Sequence, residues 1–280
     1  MHIVIVSDFG EVNGGAVKVA IASARGLAEA GIAVTFVCAT APISPLLRHP
    51  LIAVRCLRID NIWQRRNPLG AAWQGIWNRR ARRALEQILA ELPHEATIVH
   101  FHQWTKALSP SVLLAPLRFG LPAVASLHDY FIACPNGAYY HFPKSTPCKL
   151  SPLSPACVAA NCDSRGYAYK IVRVLRQWAT AVALRRAGES LRMLSVSPFA
   201  ERVIERFLPP PHARFVVRSP IDVGRHVPVA VAENSDFVFV GRLTEEKGVR
   251  LLAEVARDAG LPLTIVGDGP LLDMLRQLDG

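Results

Sequence analysis

Short apolar runs alternate with stretches of helical spacing along almost the whole chain, and this limits the fold more than any single motif. Apolar runs at 2–6, 32–38, 52–57, 97–102, 121–127, 194–196, 215–217, 237–240 and 263–266 read as strands. Several lack polar alternation, as expected for strands covered on both faces. Residues 16–30, 69–92, 111–119, 164–192, 198–207 and 247–259 carry the helical pattern between them. Strand, helix and strand in succession build parallel sheets through right-handed crossovers. Residues 219–235 hold no such pattern and read as a connection. The expected division is a large α/β domain at 1–218, a linker at 219–235 and a smaller α/β segment at 236–280.

Composition fits a globular protein: 51% of the 280 residues are hydrophobic and 19% charged. No uninterrupted apolar run approaches the ~18 residues of a spanning helix. The start, MHIVIVSD, reads as a first strand instead of a signal peptide, so an intracellular, cytoplasmic protein is expected. The net charge of +10 is uneven. Residues 1–220 hold 26 Lys and Arg against 12 Asp and Glu, and residues 221–280 hold 6 against 10. That asymmetry suits an anionic partner, such as the inner face of a membrane, or simply solubility. No nucleic-acid motif accompanies the charge, so nucleic acid is not expected as a partner. Trp73, Trp77 and the run Arg79, Arg80, Arg82, Arg83 share the 69–92 segment. They suit either an interfacial membrane contact or an ordinary helix with tryptophans inward and arginines solvated.

Chemistry concentrates at strand ends, where open α/β sheets bind ligands. The stretch 237–248, FVFVGRLTEEKG, reads as a buried strand, a turn and a helix capped by Thr244. It places Arg242 and Lys247 beside a helix start, where backbone N–H groups favour anions such as a diphosphate. Gly14 and Gly15 lie in the first strand–helix turn and permit close backbone approach, although the spacing is not G-x-G-x-x-G. His128 and Asp129 end the 121–127 strand; a histidine there can bind substrate or move a proton near neutrality. Gly267 and Gly269 form the GDGP turn after the 263–266 strand.

Cys134, Cys148, Cys157 and Cys162 fall in a Pro-rich, aromatic segment with little periodicity. Four thiols there suit a tetrahedral structural zinc standing in for a local core. An iron–sulfur cluster lacks a familiar spacing, disulfides are disfavoured inside cells, and unliganded buried thiols are the plain alternative. Cys38 and Cys56 read as core residues.

The combination FVFVGRLTEEKG…LPLTIVGDGP, with VSDF…NGGA, LHDY and SVSPF, resembles retaining family 4 glycosyltransferases of the two-domain GT-B fold. The resemblance implies a nucleotide-sugar donor and transfer with retention to a glycan or lipid-linked acceptor, in polysaccharide biosynthesis on or near a membrane. It implies that Arg242, Lys247, Gly14 and Gly15 hold the donor diphosphate. His128 would lie near the transferred sugar, Gly267 and Gly269 would edge the nucleotide pocket, and no cofactor would serve catalysis. Ser219–Pro220 departs from the asparagine common before that proline. The family's further strands, base pocket and paired glutamates have no counterpart by Gly280, so a chain truncated in its second domain is expected. A non-catalytic, metal- or partner-binding fragment is the alternative reading.

Overall fold

The computed structural model describes residues 1–208, 212–221 and 230–278. Along the chain run β1 (His2–Phe9), α1 (Gly15–Glu29), β2 (Ala33–Thr40), β3 (Ile52–Cys56), α2 (Pro68–Ile76), α3 (Arg79–Ala90), β4 (Thr97–Phe101) and β5 (Ala123–Leu127). There follow β6 (Tyr140–His141), β7 (Thr146–Pro147), α4 (Pro155–Ala159), α5 (Tyr167–Ala187), β8 (Leu191–Ser195), α6 (Pro198–Glu205) and β9 (Arg214–Val216). The last elements are β10 (Phe237–Val240), α7 (Val249–Asp258), β11 (Leu263–Val266) and α8 (Leu272–Leu278). They divide into two units. The first comprises Met1–Tyr139, Lys149–Asn161 and Arg165–Ile221; the second holds Tyr140–Cys148, Cys162–Ser164 and the described part of Asp222–Gly280.

The first unit is built on a seven-stranded sheet in the order β3-β2-β1-β4-β5-β8-β9. Every pair in it is parallel. The apolar run of β1 explains its central place, since both of its faces are covered. Val4 and Val6 join one buried cluster with Leu85, Leu89 and Phe101. Ile3 and Ile5 join another with Val17, Ile21 and Phe36. Successive strands run outward from β1 in one direction and then, from β4, in the other. The carboxyl ends of β1 and β4 therefore flank a switch point, where such sheets leave a crevice.

Several expected helices are broken, for local reasons. The 69–92 stretch is two helices, because Trp77 is extended (φ −154°) and Asn78 accepts the Ala81 N–H at 3.0 Å, starting α3 anew. Asn78 is buried and donates to the Ala107 carbonyl at 2.9 Å, so this bend is fixed from outside the helix. The 111–119 stretch forms two short 3-10 turns, Pro110–Leu114 and Pro116–Phe119. Pro116 lacks the N–H that would continue one helix through them. The basic helix begins at Tyr167, not 164, after Gly166 in a conformation with φ 103°. Ser197 caps α6 as expected, accepting the Ala200 N–H at 3.1 Å. The prolines at 209–211 and part of the expected linker, 222–229, lie outside the described residues.

In the second unit β10 and β11 pair in parallel, and Leu243, Val249 and Leu275 form a small core. Two expectations change. The 237–240 strand, expected to be buried, is open: Val238 is 63% and Val240 74% exposed. The helix expected to start after Thr244 starts at Val249. Glu245–Lys247 form a 3-10 turn, Gly248 turns left-handed (φ 72°), and the Thr244 side chain makes no capping bond.

Candidate active site

The carboxyl edge of the first sheet gathers a cluster of buried polar groups. Asp8, near the end of β1, is wholly buried. Its carboxylate accepts the N–H groups of Lys106, Ala107 and Leu108 at 2.8–2.9 Å, pinning the loop that leaves β4. Burial raises its pKa, against the pull of those three hydrogen bonds. His102, just past β4, is buried and shares a hydrogen bond from Nδ1 to His128 Nε2 at 3.0 Å; the rings stack at 5.2 Å between centroids. His100 stands behind them, 4.1 Å from the His102 ring, with Nε2 2.8 Å from Ser126 Oγ.

This trio is held neutral. Burial lowers His100 and His128 to about 4 and pulls His102 well below its ordinary value. A single shared proton between His102 and His128 requires at least one imidazole nitrogen to act as acceptor, which a pair of imidazolium rings cannot provide. Neutral His128 can therefore take part in a hydrogen bond with a ligand hydroxyl at neutral pH.

A cleft opens beside the pair, lined by His102, Gln103, Trp104, Thr105, His128 and Asp129, among others. Three polar atoms on this lining, His102 Nε2, Gln103 Oε1 and Thr105 Oγ1, are buried without a hydrogen-bond partner among the described residues. Buried polar atoms are rarely left so, and a polar ligand would satisfy them. The floor is braced by α5. Arg176 donates to the carbonyls of Thr105 (3.3 Å) and Pro135 (3.2 Å), and Gln177 donates to that of Ile132 at 2.8 Å. Asp129 accepts the Phe131 N–H at 3.0 Å, and burial raises its pKa.

The same edge carries the first glycine turn. Gly14 opens α1 with no side-chain cap, so the first N–H groups of this helix have no capping side chain. A Cβ on Gly14 or Gly15 would meet nothing within 4 Å. Neither glycine is needed for internal packing, and the space before them is open.

The second unit places its expected site residues differently. Arg242 and Lys247 are exposed, and Arg242 makes only a 3.5 Å contact with Glu246. A Cβ on Gly267 would sit 1.9 Å from the Gly241 carbonyl oxygen, and one on Gly269 2.5 Å from that of Leu243. These two glycines are demanded by the chain's own backbone.

The four cysteines of the Pro-rich segment are divided between the units. Cys134 and Cys157 belong to the first unit, Cys148 and Cys162 to the second. None of the described cysteines is disulfide-bonded. Among the described residues no group of three or more His, Cys, Asp or Glu side chains is placed to hold a metal. Cys134 donates instead to Asn136 at 3.1 Å, and Cys157 lies 3.5 Å from the buried Lys170 amine. Asp8, His102, Gln103 and Arg176 were not among the residues singled out from sequence. Asp8 had a signal, a lone acid ending an apolar strand; His102 had one in the alternation of TIVHFH.

A parallel sheet with its polar cleft at the strand ends, followed by a smaller parallel unit, is the GT-B architecture of nucleotide-sugar glycosyltransferases. Anabaena HepE, solved in complex with UDP, is similar at a TM-score of 0.58 and 15% identity, over 100% of this chain and 65% of that one. A glycosyltransferase from Rickettsia africae is similar at 0.57 and 12%, over 99% and 64%. The chain thus spans slightly less than two thirds of the length of these structures. Among curated proteins none matches it. The chain belongs to Glycosyltransferase Family 4, whose family model matches residues 13–225. No described helix is long and apolar enough to cross a membrane.

Proposed function

We propose that this protein transfers a sugar from a nucleotide-sugar donor to a glycan or lipid-linked acceptor, with retention of configuration, at the cytoplasmic face of a membrane. The observation that carries the reading is the cleft beside His128. It joins a neutral histidine pair to three buried, unpartnered polar atoms, groups able to hydrogen-bond a water or a single hydroxyl. In this reading His128 touches the transferred sugar. His102 acts through it, fixing its ring by the shared hydrogen bond.

The donor diphosphate finds open N–H groups at Gly14 and Gly15, where the helix dipole favours negative charge. Within the second unit, Arg242 and Lys247 are exposed cations, of the charge that a leaving diphosphate calls for as the glycosidic bond breaks. Gly267 and Gly269 edge the nucleotide side. Retention rests on the family resemblance alone; UDP as the nucleotide rests on the complex solved for Anabaena HepE.

Calorimetric titration with UDP and then with a panel of nucleotide sugars tests the reading. Saturable donor binding that Gly14→Ala weakens supports it. Donor binding absent from the full chain, with zinc retained after dialysis, would instead favour a metal-holding fragment.

A further inference from the structure

The long helix α5 divides its side chains unusually. Its inward face is half polar: Lys170, Arg176, Gln177 and Thr180 are buried beside Val174, Ala183, Leu184 and Ala187. Arg176, Gln177 and Thr180 each have a clear internal use, bonding loop carbonyls or, for Thr180, the Arg176 carbonyl at 2.9 Å. Its outward face is apolar. Leu175, Trp178 and Val182 are 44%, 58% and 40% exposed, and they continue the half-buried Ile171 at helical spacing. Nothing among the described residues requires a tryptophan and two aliphatic residues there.

Helix α2 packs against α5 and does the same. Leu69 and Trp73, one turn apart, are 82% and 70% exposed. Trp63 and Tyr169 join the two segments, their rings 6.1 Å apart, with the Arg165 guanidinium 3.5 Å over Trp63. Exposed apolar side chains this large, gathered on adjoining helices, mark a contact surface.

Charge identifies the partner. Residues 61–85 and 164–188 contain no Asp or Glu at all. Arg65 and Arg66 precede α2, and Arg185 and Arg186 close α5, all four exposed. Arg79 and Arg80 sit exposed at the N-terminus of α3, where the helix dipole disfavours cations. A protein partner of mixed charge would meet no counter-acid here. An anionic bilayer matches every part: acyl chains for Leu175 and Leu69, the headgroup boundary for Trp73 and Trp178, and phosphates for the arginines.

We infer that the outward faces of α2 and α5 form a docking surface for an anionic lipid bilayer, with Trp73, Leu175 and Trp178 inserted at the interface and the flanking arginines on the headgroups. This places the contact on the apolar stripe of α5 and the exposed end of α2. The arginine run of α3 is then a flank and not the centre. The inference does not rest on the glycosyl-transfer reading.

The test is sedimentation of the full chain with vesicles of phosphatidylcholine containing about 30% phosphatidylserine, against phosphatidylcholine alone. Binding to the anionic vesicles only, weakening as salt rises, is expected. The triple variant Trp73→Ala/Leu175→Ala/Trp178→Ala should lose at least tenfold in affinity. Arg185→Gln/Arg186→Gln should lose about fivefold for each charge removed. All five side chains are exposed, so an unchanged circular dichroism spectrum and melting temperature are expected beside the loss. No binding to anionic vesicles, or binding that the triple variant leaves intact, overturns the inference. A dimer in solution that the triple variant dissociates also overturns it, by assigning the patch to a second copy. UDP titration of the same variants should be unchanged; a parent protein that docks on lipid but binds no nucleotide would refute the enzymatic reading alone.

Discussion

The two units carry the same sequence signal and put it to different uses. In each, an apolar strand runs through a glycine-bearing turn toward a helix. In the first, Val4, Ile5 and Val6 of β1 are fully buried under helices on both faces. In the second, β10 is as apolar but stands open, with Val240 74% exposed. Individual glycines diverge as well. Gly14 and Gly15 face open space, as does Gly248, whereas Gly267 and Gly269 press against carbonyl oxygens. A glycine that its own chain does not need is the better pointer to a ligand. One that the chain needs says only that two turns pack closely.

The sharpest way to break this comparison is at His128. His128→Ala should lower turnover on the best donor by about 10²–10⁴-fold, the span of a lost acid–base or positioning group. Melting temperature and UDP affinity should hardly move. His102→Ala should lower turnover less and also shift the acid limb of the pH–rate profile, because it removes the partner that fixes the His128 tautomer. If His102→Ala leaves that profile where it was, the pair is structural only.

Next in size is Gly267→Ala. Its Cβ would overlap a backbone oxygen that cannot swing aside, so a loss of about 3 kcal/mol or more is expected in the unfolding of the second unit. Gly14→Ala should cost under about 0.5 kcal/mol, as for surface sites without special geometry. Equal destabilisation by the two would erase the distinction drawn between the turns.

Acid should strike the first unit through its histidines. In the folded chain His100 and His128 titrate near 4, and unfolded they return to their ordinary value near 6.5. Between those values the unfolded chain holds more protons. Stability is therefore full above about pH 6.5 and falls as pH drops toward 4, by up to ~1.4 kcal/mol per pH unit for each histidine. Denaturant titrations at pH 7 and pH 5 measure the difference, and His100→Asn should flatten it.

Much of this was legible in the sequence because period and burial reinforce each other in a parallel sheet. The strands fell where the apolar runs lie, and His128 stood out by its position after one of them. What escaped depends on long-range contacts. Asn78 breaks the α2–α3 stretch because the Ala107 carbonyl waits for it. Pro116 could be read as a break, but not that two 3-10 turns would replace the helix. His102 matters only because β4 and β5 are neighbours, bringing its Nδ1 to His128. The buried polar residues of α5 were hidden for the same reason: Arg176 and Gln177 look solvated until the loop carbonyls they bond are seen.

The smallest expected effect on stability is at Arg242, and it tests the expected role of that cation. The side chain is 72% exposed and its contact with Glu246 spans 3.5 Å, so solvent screens most of that pair. Arg242→Ala should change unfolding by less than about 0.5 kcal/mol. If the guanidinium meets the donor diphosphate, the same change should weaken UDP binding by roughly tenfold, the scale of one charge-assisted hydrogen bond. Gly14→Ala and Arg242→Ala would then both reduce UDP affinity at almost no cost in stability. A variant that unfolds normally and binds UDP as tightly as the parent would remove Arg242 from the site. The glycine turn of the first unit would then be the remaining proposed contact for the diphosphate, with Lys247 the one cation still to be tested.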